Sequence, residues 1–356
     1  MDRTDWLYER KWGIFNHYLS GKKERCSGSK FKPAVSWNEC VNTFNVKEYA
    51  KAIHELNAGY VVFTLMQGNE FLCAPSETFN RITGKKPGEA CSERDLIGEI
   101  ADELLKYDIP LIVYYTGDGP YQSEQCGKSF GYYDRTKEVV TKEFVTKWAS
   151  VLEELAVRYG SKVKGWWIDG CYPFFGYNDD LLGIYKEAAR KGNPDAIVAF
   201  NNGVTQIDIN NPEFEPLLEG KTLPWDKMQI LTDKREAGDK EAEKAFIRKG
   251  PLRYSVHDDF TAGEENDFWC YPTERFTDGA QWHILSYLGH ESTPCGPFDS
   301  FGWGNYGSKY SPEQLRNYVK TVNEKGGVVS IEIAIFRDGS LDYGQIEVLK
   351  SIKDLR

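Results

Sequence analysis

The amino-acid sequence predicts an α/β protein, a (β/α)8 barrel of the TIM type. Eight short runs rich in β-branched and aromatic residues recur along the 356 residues, and stretches whose apolar side chains return every three or four positions lie between them. A third observation separates this fold from an open doubly wound sheet, which shares the alternation: no glycine-rich dinucleotide turn follows the first run.

The first run, GIFN at 13–16, is followed by His17 and Tyr18. VKEYAKAIHELNAG then reads as a helix stopped by glycine, ahead of YVVFTL at 60–65, which leads into Gln67, Asn69 and Glu70. The helical SERDLIGEIADELLKYD precedes PLIVYY at 110–115, with Tyr114, Tyr115 and Asp118 at its end. The long helix TKEFVTKWASVLEELAVRYG precedes VKGWWI at 163–168, ended by Asp169 with Tyr172 close behind. AIVAF at 196–200 leads to Asn201 and Asn202, LRYSV at 252–256 to His257, Asp258 and Asp259, and HILSYL at 283–288 to His290 and Glu291. The helix SPEQLRNYVKTVNEKGG and the run VVSIEIAI at 328–335 complete the set, followed by Arg337 and Asp338. Residues 205–250 are more than one crossover needs, and their mixed charges read as a solvated helix and a lid on a single domain spanning 1–356.

In a barrel, chemistry gathers at the C-terminal ends of the strands. Polar and aromatic residues follow nearly every run here, which suits a carbohydrate cleft as well as ordinary polar strand ends. Asp169 stands out because it ends a bulky apolar strand, so it reads as a nucleophile or base, or as a turn former ahead of Gly170. A glycosidase needs a second carboxyl group with a raised pKa. Glu264 and Glu265 in DFTAGEE are candidates, each with a solvated-loop alternative, and Glu70, Glu291 and Glu332 are rivals. Alternation within VVSIEIAIF points Glu332 into the lumen, where it is either functional or paired with a Lys or Arg.

The net charge of −10 opposes nucleic acid and anionic membranes as partners, and no apolar run approaches the roughly 20 residues of a membrane span. Five histidines and eight cysteines form no C-x-x-C, H-E-x-x-H or phosphate-loop pattern, so no metal or organic cofactor is expected.

Several segments carry a resemblance to the α-L-fucosidase family of retaining glycoside hydrolases. KWGIFNHY at 11–18 is similar to the family's K-F-G-I-F-I-H-W, whose histidine contacts the sugar, a role the resemblance gives to His17. Residues 60–76 align without gaps on Y-V-V-L-T-T-K-H-H-D-G-F-C-L-W-P-S, with the sugar-binding histidine pair falling on Gln67 and Gly68 and the following Asp on Asn69. VKGWWIDG resembles L-W-F-D-G, which places the catalytic nucleophile on Asp169. GGVVSIEIAIFRDG at 326–339 resembles G-G-N-L-L-L-N-I-G-P-x-x-D-G, with Glu332 in place of the usual Asn. The family's N-D-R-W becomes Asn201, Asn202, Gly203 and Val204, losing the arginine, and the family's C-terminal β-sandwich is not expected. D-Y-x-T-P-E resembles DFTAGE, giving the acid/base role to Glu264 with Glu265 in reserve.

The expectation is a retaining exo-glycosidase acting on a terminal α-L-fucosyl or related sugar, with His17, Trp37, Gln67, Asn69, Glu70, Tyr115, Asn201 and Glu332 around an oligosaccharide or glycoside substrate. A glycosidase for a different sugar and a non-catalytic carbohydrate-binding barrel are the alternatives. The compartment is periplasmic or secreted if a leader was trimmed and cytoplasmic if the chain is complete; the oligomeric state is left open.

Overall fold

The computed structural model describes residues 2–19, 36–135, 137–204, 206–207, 225–247, 250–290 and 302–356. Seven strands form one parallel, curled sheet: β1 (Trp12–Asn16), β2 (Val61–Met66), β3 (Leu111–Thr116), β4 (Val163–Asp169), β5 (Ile197–Phe200), β6 (His283–Tyr287) and β7 (Val328–Glu332). Their order is β6-β7-β1-β2-β3-β4-β5, so β1 sits between the last strand and the second, as a closing barrel requires. Crossover helices cover the outside, among them α1 (Val46–Glu55), α2 (Leu96–Leu105), α3 (Lys142–Tyr159), α4 (Asp179–Ala189) and α5 (Pro312–Glu324). Asn45, Asp95, Thr141, Asn178 and Ser311 cap them, each side chain accepting a backbone N–H of the first turn.

The expected sixth strand at 252–256 does not form. Its backbone N–H groups are taken by a side chain instead: Tyr254 and Ser255 donate to Asp258 Oδ2 at 3.0 and 2.7 Å, which folds the segment into a turn. The gap between β5 and β6 is bridged by residues 259–265. Asp259 N–H donates to Val198 at 2.9 Å on one side, while on the other Leu285 N–H donates to Gly263 and Glu265 N–H to Leu285, both at 2.8 Å. DFTAGEE is therefore the sixth stave itself rather than a loop after it. Its two bridges to the 281–285 region are parallel, like the sheet around them.

Side-chain alternation sorts the interior into two cores. Ile14, Phe63, Val113, Trp166, Val198 and Ile331 face the helices, whereas Phe15, Val62, Ile112, Trp167, Ala199, Phe260 and Leu285 fill the lumen. One irregularity breaks the phase. The β2–β3 register shifts between Thr64 and Met66, so Leu65 and Met66 both face the helices.

Of the 205–250 stretch, the described parts are a short antiparallel pairing of Gln206–Ile207 with Phe246–Ile247 and the helices Trp225–Glu236 and Lys240–Ala245. The first of these helices lies against the turn Pro173–Phe175 after β4. Residues 205, 208–224 and 248–249 of the expected lid lie outside the described residues.

Candidate active site

Strand ends and alternation together build one cavity at the C-terminal mouth of the barrel. It has a volume of about 270 Å³ and is lined by His17, Gln67, Tyr114, Trp167, Asp169, Tyr172, Val204, Glu264, Asn266, Leu285 and Trp303. Asp169, the last residue of β4, shares the lumen face with Trp167 two positions earlier. Its carboxylate accepts Tyr114 Oη–H at 2.5 Å on Oδ2 and Asn201 Nδ2–H at 2.7 Å on Oδ1.

Glu264 stands across from it on the sixth stave, and the Asn201 amide that holds Asp169 Oδ1 also donates to Glu264 Oε2. Two oxygens bonded to one nitrogen lie within about 6 Å of each other, twice an ordinary hydrogen bond. Burial and the negative charge of Asp169 push the Glu264 carboxyl up to about 8. The two acids thus differ in environment: Asp169 accepts two hydrogen bonds, whereas Glu264 is enclosed and keeps its proton to higher pH. Gly263, at φ +63°, makes the approach to β6 possible, since a Cβ there would stand 2.0 Å from the His283 carbonyl oxygen.

Glu265 points the other way, accepts Trp269 Nε1–H at 2.9 Å and does not line the cavity. Beneath the site, Gly170 at φ +72° leaves room for Asp118, which pairs with Arg135 at 3.0 Å; a Cβ would meet Asp118 at 2.5 Å.

His17 and Glu332 come together as a buried pair, Nδ1 to Oε1 at 3.2 Å. Glu332, expected to find a Lys or Arg if paired, pairs with this histidine, and its second oxygen accepts Gly304 N–H at 3.1 Å. One carboxylate thereby ties two walls of the cavity, because His17 also meets the neighbouring Trp303 edge-on at 5.6 Å. Trp303 itself is brought in by a backbone crossing so close that a Cβ on Gly289 would stand 1.9 Å from the Gly302 oxygen.

Besides Glu332, five expected pocket residues are not among those lining the cavity. Tyr115 faces the helices, stacked on Trp148 and donating to its carbonyl at 2.8 Å, while its neighbour Tyr114 takes the lumen position. Trp37 donates to the Leu72 carbonyl at 2.7 Å and packs on Tyr18. Asn69 accepts Phe71 N–H at 2.8 Å as a local turn, and Glu70 is bonded by Ser123 and Cys126. Asn201 bridges the two acids instead of facing the cavity. Glu291 lies outside the described residues. Trp167, Asn266 and Trp303 were not among the candidates; Trp167 was readable from its two-residue offset to Asp169, whereas nothing local marks Trp303.

Among the described residues no three His, Cys, Asp or Glu side chains converge as a metal site, and no helix is long and apolar enough to cross a membrane.

Comparison with known proteins places this geometry. None of the curated proteins matches the chain. An endo-fucoidan hydrolase, P5AFcnA of glycoside hydrolase family 107, superposes with a TM-score of 0.64 at 13% identity, covering 99% of this chain and 92% of that one. The alpha-L-fucosidase AlfC from Lactobacillus casei, in complex with α-L-fucose, gives 0.58 at 15% identity over 100% and 98%. An alpha-L-fucosidase of Bacteroides thetaiotaomicron, trapped as a covalent intermediate, gives 0.57 at 13% over 99% and 74%. At such identities these likenesses speak for the barrel, and the family profile speaks for the rest: it matches residues 2–354, and the chain belongs to the alpha-L-fucosidase family and is a glycoside hydrolase.

Proposed function

We propose that the protein is a retaining exo-glycosidase that removes a terminal α-L-fucosyl or closely related sugar by double displacement. The observation that carries this reading is the Asn201 bridge. Retaining enzymes hold their carboxyl groups roughly 5–5.5 Å apart, whereas inverting ones need roughly 6.5–9.5 Å to admit a water. Two acids close enough to share one amide support the first class.

Asp169 attacks the anomeric carbon while Glu264 gives its proton to the departing oxygen. Once Asp169 is esterified its negative charge is gone, and with it one of the causes that hold Glu264 protonated. Glu264 then takes a proton from water as that water releases the sugar. His17, Trp167, Tyr172 and Trp303 supply an imidazole and ring faces for one sugar. A cavity of about 270 Å³ suits a single ring, which supports exo action.

The test is turnover of a panel of aryl glycosides led by the α-L-fucoside, for wild type beside Asp169→Asn, with the anomer first released followed by NMR. Release with retained configuration that disappears in a folded variant is expected. Full activity in Asp169→Asn, or an inverted first product, would overturn the mechanism, and silence across the panel would overturn the substrate.

A further inference from the structure

Gln67 reaches the cavity only because of the irregularity in β2. In strict alternation Val62, Thr64 and Met66 would face the lumen and Gln67 the helices; the shift between Thr64 and Met66 reverses the phase, sending Met66 outward and Gln67 inward. The bulged register thus delivers a carboxamide to the wall. Its Oε1 is buried and has no hydrogen-bond partner among the described residues. A buried carbonyl oxygen left unbonded has given up its hydrogen bonds to water with nothing in return, so it favours a ligand that donates to it.

The remaining wall narrows what that donor is. The lining residues include two carboxyl groups, Asp169 and Glu264, and no Lys or Arg among the described residues. An anionic substituent here meets Asp169 with no cation to offset it.

Resting on the proposed hydrolysis, we infer that Gln67 sets the substrate class: it accepts a hydrogen bond from one free hydroxyl of a neutral sugar, and the site rejects sugars etherified or sulfated at that hydroxyl. An ether or sulfate ester oxygen has no hydrogen to give, so either decoration leaves Oε1 unpaired, and the sulfate adds its charge.

Calorimetric binding of L-fucose, its three monodeoxy analogues and its three mono-O-methyl ethers to wild type and to Gln67→Met tests this. At one ring position both the deoxy sugar and the ether should bind wild type at least about tenfold more weakly than L-fucose, and in Gln67→Met that ratio should shrink to about threefold or less. The sulfate ester at the same position should show no binding to wild type. Equal ratios in the two proteins overturn the inference, as does a wild type that binds every ether as tightly as the parent sugar, a result that needs no variant. The hydrolase reading is judged separately: turnover of the aryl fucoside without the ratio pattern sinks Gln67 alone, and the pattern without turnover sinks hydrolysis alone.

Discussion

At the scale of single residues, the proposed division of labour between two carboxyl groups rests on what surrounds each. Asp169 receives two hydrogen bonds, and Glu264 is enclosed facing a like charge. The acid must be protonated to work, so kcat/KM should fall as pH rises through about 8, the value to which Glu264 is pushed. A rate-versus-pH profile with its basic limb near 6 would contradict that assignment. Glu264→Gln should lower kcat/KM for unactivated glycosides by about 10²–10⁴ while sparing kcat/KM for aryl substrates whose leaving group departs without a proton, although their kcat falls because the second step loses its base, a contrast read by comparing the two substrate types. That both acids reach the cavity was legible in the sequence. Asp169 closes an apolar run and Glu264 falls in a segment resembling a known acid, so residue type and order pointed to both. Tyr115 was chosen over Tyr114 because the phase of a strand buried on both faces is invisible in a continuous apolar run. The bridge made by Asn201 was not legible, because a lone Asn at a strand end gives no hint of two acids sharing it.

At the scale of elements, the instructive case is the sixth stave. Residues 252–256 are the more β-like string, yet Asp258 captures their N–H groups, and the polar, glycine-containing 259–265 enters the barrel. Apolar content favoured the wrong segment because Phe260 and Ala262 are the stave's only apolar side chains in the lumen. Glycine does the rest: Gly263→Ala would place a methyl group against the His283 carbonyl in a left-handed backbone, and should destabilise the fold by about 2–4 kcal/mol, measured as a shift in the urea midpoint. Gly170→Ala, crowding Asp118 behind the proposed nucleophile, should cost activity more than stability, visible as lost turnover in a protein whose melting temperature drops by only a few degrees.

At the scale of the whole molecule, buried carboxyl groups make stability depend on pH. Burial pushes Asp258 up to about 7, and burial with the charge of Asp169 pushes Glu264 up to about 8. Folded chains therefore hold protons that unfolded chains release at ordinary carboxylate values, and the stability these groups contribute is lost as pH rises through 7 and 8. His283, which burial lowers to about 4, opposes this only below its ordinary value of 6.5. Between pH 6.5 and 8.5 the melting temperature should fall by roughly 3–6 °C, and Asp258→Asn should flatten the slope; scanning calorimetry across that range decides it. The architecture was readable at this scale because eight staves do exist, in the predicted order, even where one was misplaced by a few residues.

The sixth stave joins its two neighbours differently. Toward β6 four backbone bonds follow one another, Gln281 N–H to Asp259, Thr261 N–H to Gln281, Leu285 N–H to Gly263 and Glu265 N–H to Leu285, whereas toward β5 a single backbone bond, Asp259 N–H to Val198, is joined by side chains, Val198 N–H donating to Asp259 Oδ2 and Phe200 N–H to Asp258 Oδ1, both at 2.8 Å. A seam with one backbone bond opens more readily than a continuous ladder. Because the stave carries Glu264, the proposed proton donor, loosening there would displace that carboxyl group while the helices and remaining strands stay assembled. Heating should therefore silence the enzyme several degrees before its circular dichroism changes, and the amide hydrogens of Val198 and Phe200 should exchange with deuterium faster than those of β1 to β3.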